Sequence, residues 1–234
     1  MSRVRKSVLD NGINVITEKM ADVESASLGV WVNTGSRNET QRLNGISHLI
    51  EHMLFKGTAQ RSALDIAREM ESVGGALNAF TGREFTCFFS KVLSDNIPLA
   101  TDLLSDMFMN SLFDNVELRK EKKVVFQEIK MVEDTPDDLV HDLFGEIFWK
   151  DQPMGRPILG RKAALSKLKR GDILSYMSRR YRADSVFITA TGNISHSSLV
   201  GSLNKTFGKI KKRKLSKAPK APSVSPAIKI LKRD

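Results

Sequence analysis

His48-Leu49-Ile50-Glu51-His52 gathers two imidazoles and a carboxylate into one five-residue window. A helix advances about 100° per residue, so with His48 at 0° Glu51 falls at about 300° and His52 at about 40°. Ile46, Leu49, Ile50, Met53 and Leu54 fall on the other side, between about 100° and 240°. Such a helix has an apolar back and a front of His48, Glu51, His52 and Phe55. Histidines at i and i+4 can reach one zinc ion, and the carboxylate just before the second can meet a water on that ion. Read blandly, these are polar residues on a helix face that carries two of the four histidines. Catalytic zinc needs a third protein ligand, with the fourth position left to water.

Candidates for that ligand lie on a second helical stretch, 115–134. Its wheel groups Glu117, Glu121, Val124, Val125, Glu128 and Val132 on one side, with Lys120, Lys122, Lys123 and Lys130 mostly off it. Carboxylates on a valine-bearing face are costly to bury unless paired or metal-bound. Glu121 and Glu128 are seven residues apart and can face one point two turns apart. An ordinary amphipathic helix would pair its glutamates with Lys at i+4. Glu117 has Glu121 there and Glu128 has Val132, which favours a ligand.

H-x-x-E-H, the reverse of the commoner H-E-x-x-H, is the inverzincin signature. With it the chain resembles the pitrilysin and mitochondrial processing peptidase family of zinc metallopeptidases. The likeness is to its shorter bacterial members and to the processing peptidase β subunit. In that family a Glu 76 residues after the second His is the third zinc ligand, which here is Glu128. Glu121 stands one heptad earlier, as the family's second helical Glu does. The resemblance continues through Gly74-Gly75-Ala76-Leu77-Asn78-Ala79-Phe80-Thr81, Gly155-Arg156-Pro157-Ile158-Leu159-Gly160, Tyr181 and Gly192-Asn193-Ile194.

The resemblance implies a zinc endopeptidase with one ion on His48, His52 and Glu128. The ion would acidify its water and Glu51 would take the proton as general base, then pass it to the leaving amine. Glu121 is grouped with Glu51 as a catalytic residue, acting by orienting a ligand or water. Asn78, Ala79 and Phe80 correspond to an edge strand that receives an extended peptide through main-chain hydrogen bonds, though Phe80 also reads as plain core. Asp138 and Asp142 stand where the processing peptidase reads an arginine near the cleavage site. Asp138 equally suits the third position of a capped helix. His141 and His196 match no ligand and read as surface residues.

These groups need a scaffold. Strands are expected over 14–17, 27–33, 76–80, 85–93 and 186–191, the third and fourth forming a hairpin. Helices are expected around the motif and over 63–73, 97–109 and 115–134. Another starts at Thr135-Pro136, with Thr as N-cap and Pro at the first helical position. Strands interrupted by helix pairs imply an α+β sandwich: one mixed or antiparallel sheet with helices mainly on one face. Arg180-Tyr181 reads as structural, at the entry to the last strand.

The chain of 234 residues carries a net charge of +10. Eleven Lys or Arg against one acid lie from Lys205 onward; removing them from the totals of 37 and 27 leaves 26 of each sign. No aromatic residue follows Phe207, so a basic tail rather than a nucleic-acid groove explains the charge. No apolar run is long enough for a membrane span, and the sole cysteine, Cys87, suits a reducing compartment, by default the cytoplasm.

Residues 1–208 read as the catalytic domain and 209–234 as a basic, solvated linker whose last residues, 228–234, resemble the opening strand of a missing second domain. Family members enclose a chamber between two such domains, so a second homologous domain or subunit, as a homo- or heterodimer, is the expected partner beside peptide substrates. The family's Arg–Tyr pair, contributed by that second domain, is absent from this chain. A non-catalytic or truncated subunit is the alternative. A zinc-stabilised structural domain is weaker, because no fourth protein ligand closes the site.

Overall fold

Ala26, Leu28, Val30 and Val32 are buried along β3 (Ser25–Val32), and most residues between them are half-exposed. This period of two marks a strand with one face on a core. It recurs in β2 (Asn14–Lys19), β4 (Ala76–Thr81), β5 (Thr86–Leu93) and β6 (Val186–Gly192). With β1 (Arg3–Val8) these strands form one sheet in the order β1-β2-β6-β3-β5-β4. β2 and β6 run parallel and the other neighbours antiparallel, so the sheet is mixed. The computed structural model describes residues 3–212, 220–224, 226–228, 230 and 231.

The helices are α1 (Ile46–Leu54), α2 (Ala63–Ser72), α3 (Ile97–Asn110), α4 (Asn115–Asp134), α5 (Pro136–Phe148), α6 (Lys162–Leu165), α7 (Arg170–Arg180) and α8 (His196–Lys205). Leu49, Ile50 and Met53 of α1, Val125 of α4, Ile173 of α7 and Leu203 of α8 share one core with Leu28, Val30, Phe88 and Ile188 of the sheet. Apolar helix faces thus cover one side of the sheet, the expected α+β arrangement. On the open side Trp31, Phe80, Phe85, Phe89 and Phe187 touch ring to ring. No helix among the described residues is long and apolar enough to cross a membrane.

Several expectations change. β1 was not foreseen, because its Arg3, Arg5 and Lys6 mask the pattern; charges of this kind suit an edge strand. On α4 the buried stripe is Leu118, Glu121, Val125 and Ile129, whereas Val124 is 44 % exposed. Glu117 forms a surface pair with Lys120 at 2.8 Å. His196 is no free surface residue: Nε2 lies 2.7 Å from Ser7 Oγ and Nδ1 2.7 Å from Thr17 Oγ1, tying α8 to β1 and β2. Tyr181 is buried just after α7.

The tail is not simply solvated. Lys212 Nζ donates to Asp10 O at 2.9 Å, and Arg37 Nη2 donates to Lys220 O at 2.7 Å. Ser223 exchanges two hydrogen bonds with the Gln152 amide, at 2.7 and 2.8 Å. Of the segment read as an opening strand, Ile228, Ile230 and Leu231 have no regular structure. Lys229 and 232–234 lie outside the described residues, as do 213–219 and 225 of the expected linker.

What positions α1 is a clamp at its N-terminus. Gly45 has φ 91° and Gly160 has φ 81°. A Cβ on Gly160 would stand 2.5 Å from Gly45 Cα, so the 155–160 loop needs glycine at both positions to lie against the start of α1. Gly45 offers no capping side chain, and the buried Glu39 serves instead. Its carboxylate accepts from Gly45 N at 2.7 Å, Ser47 N at 2.8 Å and Asn44 Nδ2 at 3.1 Å. Burial pushes this carboxyl up to about 7, while the backbone donors of Ser47 and Gly45 and the Asn44 amide favour the anion. A carboxylate here also meets the positive end of the helix dipole. Arg156, from the same loop, donates to Glu39 O. Glu39→Ala strips three donors of their acceptor and is expected to lower unfolding free energy by about 1–3 kcal/mol. Urea denaturation measures this; a midpoint equal to the parent's would remove Glu39 as the cap.

Candidate metal centre

α1 buries its apolar back in the core, which leaves His48, Glu51 and His52 facing α4 and β4. The two imidazole centroids are 4.6 Å apart. From α4, Glu128 Oε2 lies 3.9 Å from His48 Nε2 and 3.5 Å from His52 Nε2. One ligand atom from each of these residues falls within 4.8 Å of the other two. Glu128 Oε2 is buried and has no hydrogen-bond partner. Such an oxygen is costly unless a cation or donor meets it. Two nitrogens and a carboxylate converging on one point are a fitting donor set for zinc. Burial, and the neighbouring His52, lower His48 to about 4, so its ring is neutral at pH 7 with a lone pair to offer.

Glu121 sits behind His52 rather than among the converging atoms. His52 Nδ1 is 3.0 Å from Glu121 Oε2, and Glu121 Oε1 is 2.9 Å from Lys56 Nζ. Paired with Lys56, the Glu121 carboxylate accepts from His52 Nδ1–H, and Nε2 is the ring nitrogen turned toward Glu128. Glu121 therefore orients the His52 ring and lies outside the converging atoms. Sequence reasoning missed Lys56, although it stands at i+4 from His52, one turn farther along the chain. Glu39 was missed as well, because it lies outside any periodic segment.

Burial raises the Glu51 carboxyl, opposed by a hydrogen bond from Thr81 and by His52. The Thr81 hydroxyl donates to Glu51 Oε2. Thr81 ends β4, the last strand of the sheet and hence an edge. Asn78 and Phe80 point to the open face, whereas Ala79 packs on the core. Phe80, 41 % exposed and 5.8 Å from the Trp31 ring, is therefore not a core residue. The Ala79 amide donates to Asn78 Oδ1 at 2.8 Å.

On α5, Asp142 Oδ1 lies 3.9 Å from Arg83 Nη2. Burial pushes its carboxyl up and Arg83 pulls it down. Asp142 also lines a cavity of about 310 Å³, with Val132, Leu139, Leu143 and Pro157 on its apolar side and Glu133, Glu146, Arg161 and Lys162 on its charged side. Asp138 is exposed in the first turn. Thr135 is the N-cap by position, with Pro136 at the first helical position. Its hydroxyl does not cap α5 but donates back to Met131 O at 2.8 Å. Neither aspartate joins the metal cluster.

Residues 14–162 match the family described as insulinase, peptidase family M16. Residues 167–234 match a second, described as the peptidase M16 inactive domain. β6 pairs with both β2 and β3, so the two matches meet within one sheet. The uncharacterized zinc protease YmxG of Bacillus subtilis (strain 168) is 44 % identical over 205 residues, 88 % of this chain and 50 % of that protein. An uncharacterized zinc protease of Rickettsia felis is 40 % identical over 205 residues, with the same coverage. This chain thus spans about half the length of these curated relatives. A protease from Helicobacter pylori superimposes with a TM-score of 0.86 at 22 % identity, covering 95 % of this chain and 54 % of that one. A peptidase M16 inactive domain from Pseudomonas fluorescens gives 0.87 at 16 % identity, covering 94 % and 54 %. At such identities the likeness is one of fold. The family match over residues 14–162, together with relatives of 40–44 % identity named as zinc proteases, makes this chain a member of the insulinase family, peptidase family M16.

Proposed function

We propose that this chain is the metal-bearing half of a zinc-dependent endopeptidase that cleaves extended peptides or presequence-like segments. The observation that carries the reading is the unpartnered Glu128 oxygen between His48 and His52, with the Glu51 carboxylate one residue before His52. One zinc ion held by His48, His52 and Glu128 would acidify a water and polarise the scissile carbonyl. Glu51 accepts the proton of the attacking water and returns it to the leaving amine. Glu121 and Lys56 hold His52 in the tautomer that offers Nε2. An extended peptide adds to the edge of β4 at Asn78–Phe80, where main-chain pairing reads backbone rather than sequence. Asp142, which lines a cavity with Glu133 and Glu146, and Asp138 one turn before it receive an arginine side chain. Arg83, which already faces Asp142, and Arg161 and Lys162, which line the same cavity, are then competitors within the chain. A buried, unpaired Cys87 suits a reducing compartment such as the cytoplasm.

A second homologous half completes the binding site. Supporting this, the 205 matched residues, 88 % of this chain, cover only 50 % of each of these curated relatives. The match of 167–234 to a family described as an inactive domain supports the second reading, a non-catalytic subunit that keeps the fold.

Metal analysis of purified protein is expected to find about one zinc per chain, lost in His52→Ala and kept in Glu51→Gln. Glu51→Gln is expected to slow peptide cleavage by about 100-fold or more. Full zinc occupancy in a His48/His52 double variant would refute the ligand assignment.

Residues 1–234 alone are expected to cleave peptides weakly, with activity rising on addition of the second half of a full-length relative. Robust zinc-dependent cleavage by a monomer, shown as such by sedimentation, would end the two-half requirement.

In the assembled enzyme, Asn at both Asp138 and Asp142 is expected to cut selectivity for Arg-containing peptides by about tenfold or more, with zinc content unchanged. Competition assays with paired Arg-containing and Arg-free peptides read this. An unaltered ratio would remove the arginine role.

A further inference from the structure

We propose that Thr81 positions the general base: its hydroxyl holds the Glu51 carboxylate, so that the strand receiving the peptide also sets the group that moves the proton. The inference rests on the proposed function and adds a residue that the ligand motif does not contain.

Alternation along β4 sends Leu77, Ala79 and Thr81 to the core side and Ala76, Asn78 and Phe80 to the open side. Leu77 and Ala79 pack against the core that α1 shares. Thr81, next in the same row, meets Glu51 with its hydroxyl. The donor is well held. Thr81 pairs with Thr86 at the end of the hairpin, and Gly82 N donates to Phe85 O at 2.7 Å. The turn is pinned from outside as well: Arg37 N donates to Arg83 O at 2.8 Å and Ser36 N to Gly82 O at 3.3 Å. Thr86 Oγ1 in turn donates to Thr34 O at 3.0 Å. A β-branched residue on a fixed strand has few rotamers, so its hydroxyl points in one direction.

The bond engages Oε2 of Glu51 and leaves Oε1 to accept the proton of a water. A general base works only within hydrogen-bond reach of that proton, and a misplacement of about 1 Å can cost about 100-fold. Thr81 thus acts through Glu51, as a positioning residue, and a peptide pairing with β4 fastens the strand that carries the donor.

Threonine, valine and serine separate shape from hydroxyl. In the full-length protein, Thr81→Val is expected to lower kcat by about tenfold or more, with KM, zinc content and melting temperature unchanged. Thr81→Ser is expected to keep kcat within about threefold, because it restores the donor. Combined with Glu51→Gln, Thr81→Val is expected to add no further loss. A second readout needs no catalysis. In metal-free protein the Thr81 hydroxyl proton is expected as a slowly exchanging NMR signal, absent in Thr81→Val and exposed in Glu51→Ala. A Thr81→Val kcat equal to the parent's overturns the proposal, as does a Thr81→Ser loss as deep as that of Thr81→Val. If the parent itself cleaves nothing, the endopeptidase reading fails, and the positioning role falls with it. The NMR signal then still decides the contact, and a fast-exchanging Thr81 hydroxyl overturns that too.

Discussion

Everything at this centre depends on a carboxylate oxygen and two imidazole nitrogens being pressed together in the seam between α1 and α4. Neither helix could hold that arrangement alone. α1 is fastened by its apolar back, with Leu49, Ile50 and Met53 buried to 0 % exposure, and α4 by Val125 and Ile129 on the same core. Burying five such side chains contributes on the order of 10 kcal/mol, enough to keep Glu128 beside His48 and His52 with its Oε2 unsatisfied. Apolar packing here holds together a set of donor atoms that suits one cation.

Around that seam each element that contributes to the cluster has its own restraint. The Glu39 carboxylate and the Gly45–Gly160 contact fix where α1 begins. Lys56 and Glu121 fix the orientation of the His52 ring, and Thr81 reaches Glu51 from the edge of the sheet. The partners come from regions far apart in the chain: 39 and 156–160 before and behind α1, 81 from the hairpin, 121 from α4. Because these restraints are a few buried or half-buried hydrogen bonds, an ion pair and one close backbone contact, small changes in backbone position would change the site.

Two surfaces lie outside this machinery. The open face of the sheet carries the aromatic group around Trp31, and its indole N–H is satisfied by Thr189 at 2.9 Å. Phe80 links that face to the edge strand proposed to receive peptides. The tail crosses the rim near the β4–β5 turn, where Arg37 meets both Lys220 and Glu84. The described part of the tail is held by the Lys212 ammonium on Asp10 O, by Arg37 on Lys220 O and by the backbone of Ser223 on the Gln152 amide.

Local pattern settled much of this in advance. The front and back of α1, the bounds of α4, the β4–β5 hairpin and β6 could all be read from periodicity and turn residues, because short-range sterics and one-sided burial write themselves into spacing. Glu128 is the proposed third ligand on the strength of the resemblance, since a wheel groups Glu117, Glu121 and Glu128 without ranking them. Tertiary structure separated the three: Glu117 went to a surface pair with Lys120, Glu121 behind His52, and Glu128 to the seam. It also took Val124 out of the buried stripe, tied His196 to Ser7 and Thr17, and gave Glu39 and Lys56 their roles. The reason is physical. Periodicity says which residues share a face, but what that face meets depends on packing between segments tens of residues apart, and only the folded chain brings them together.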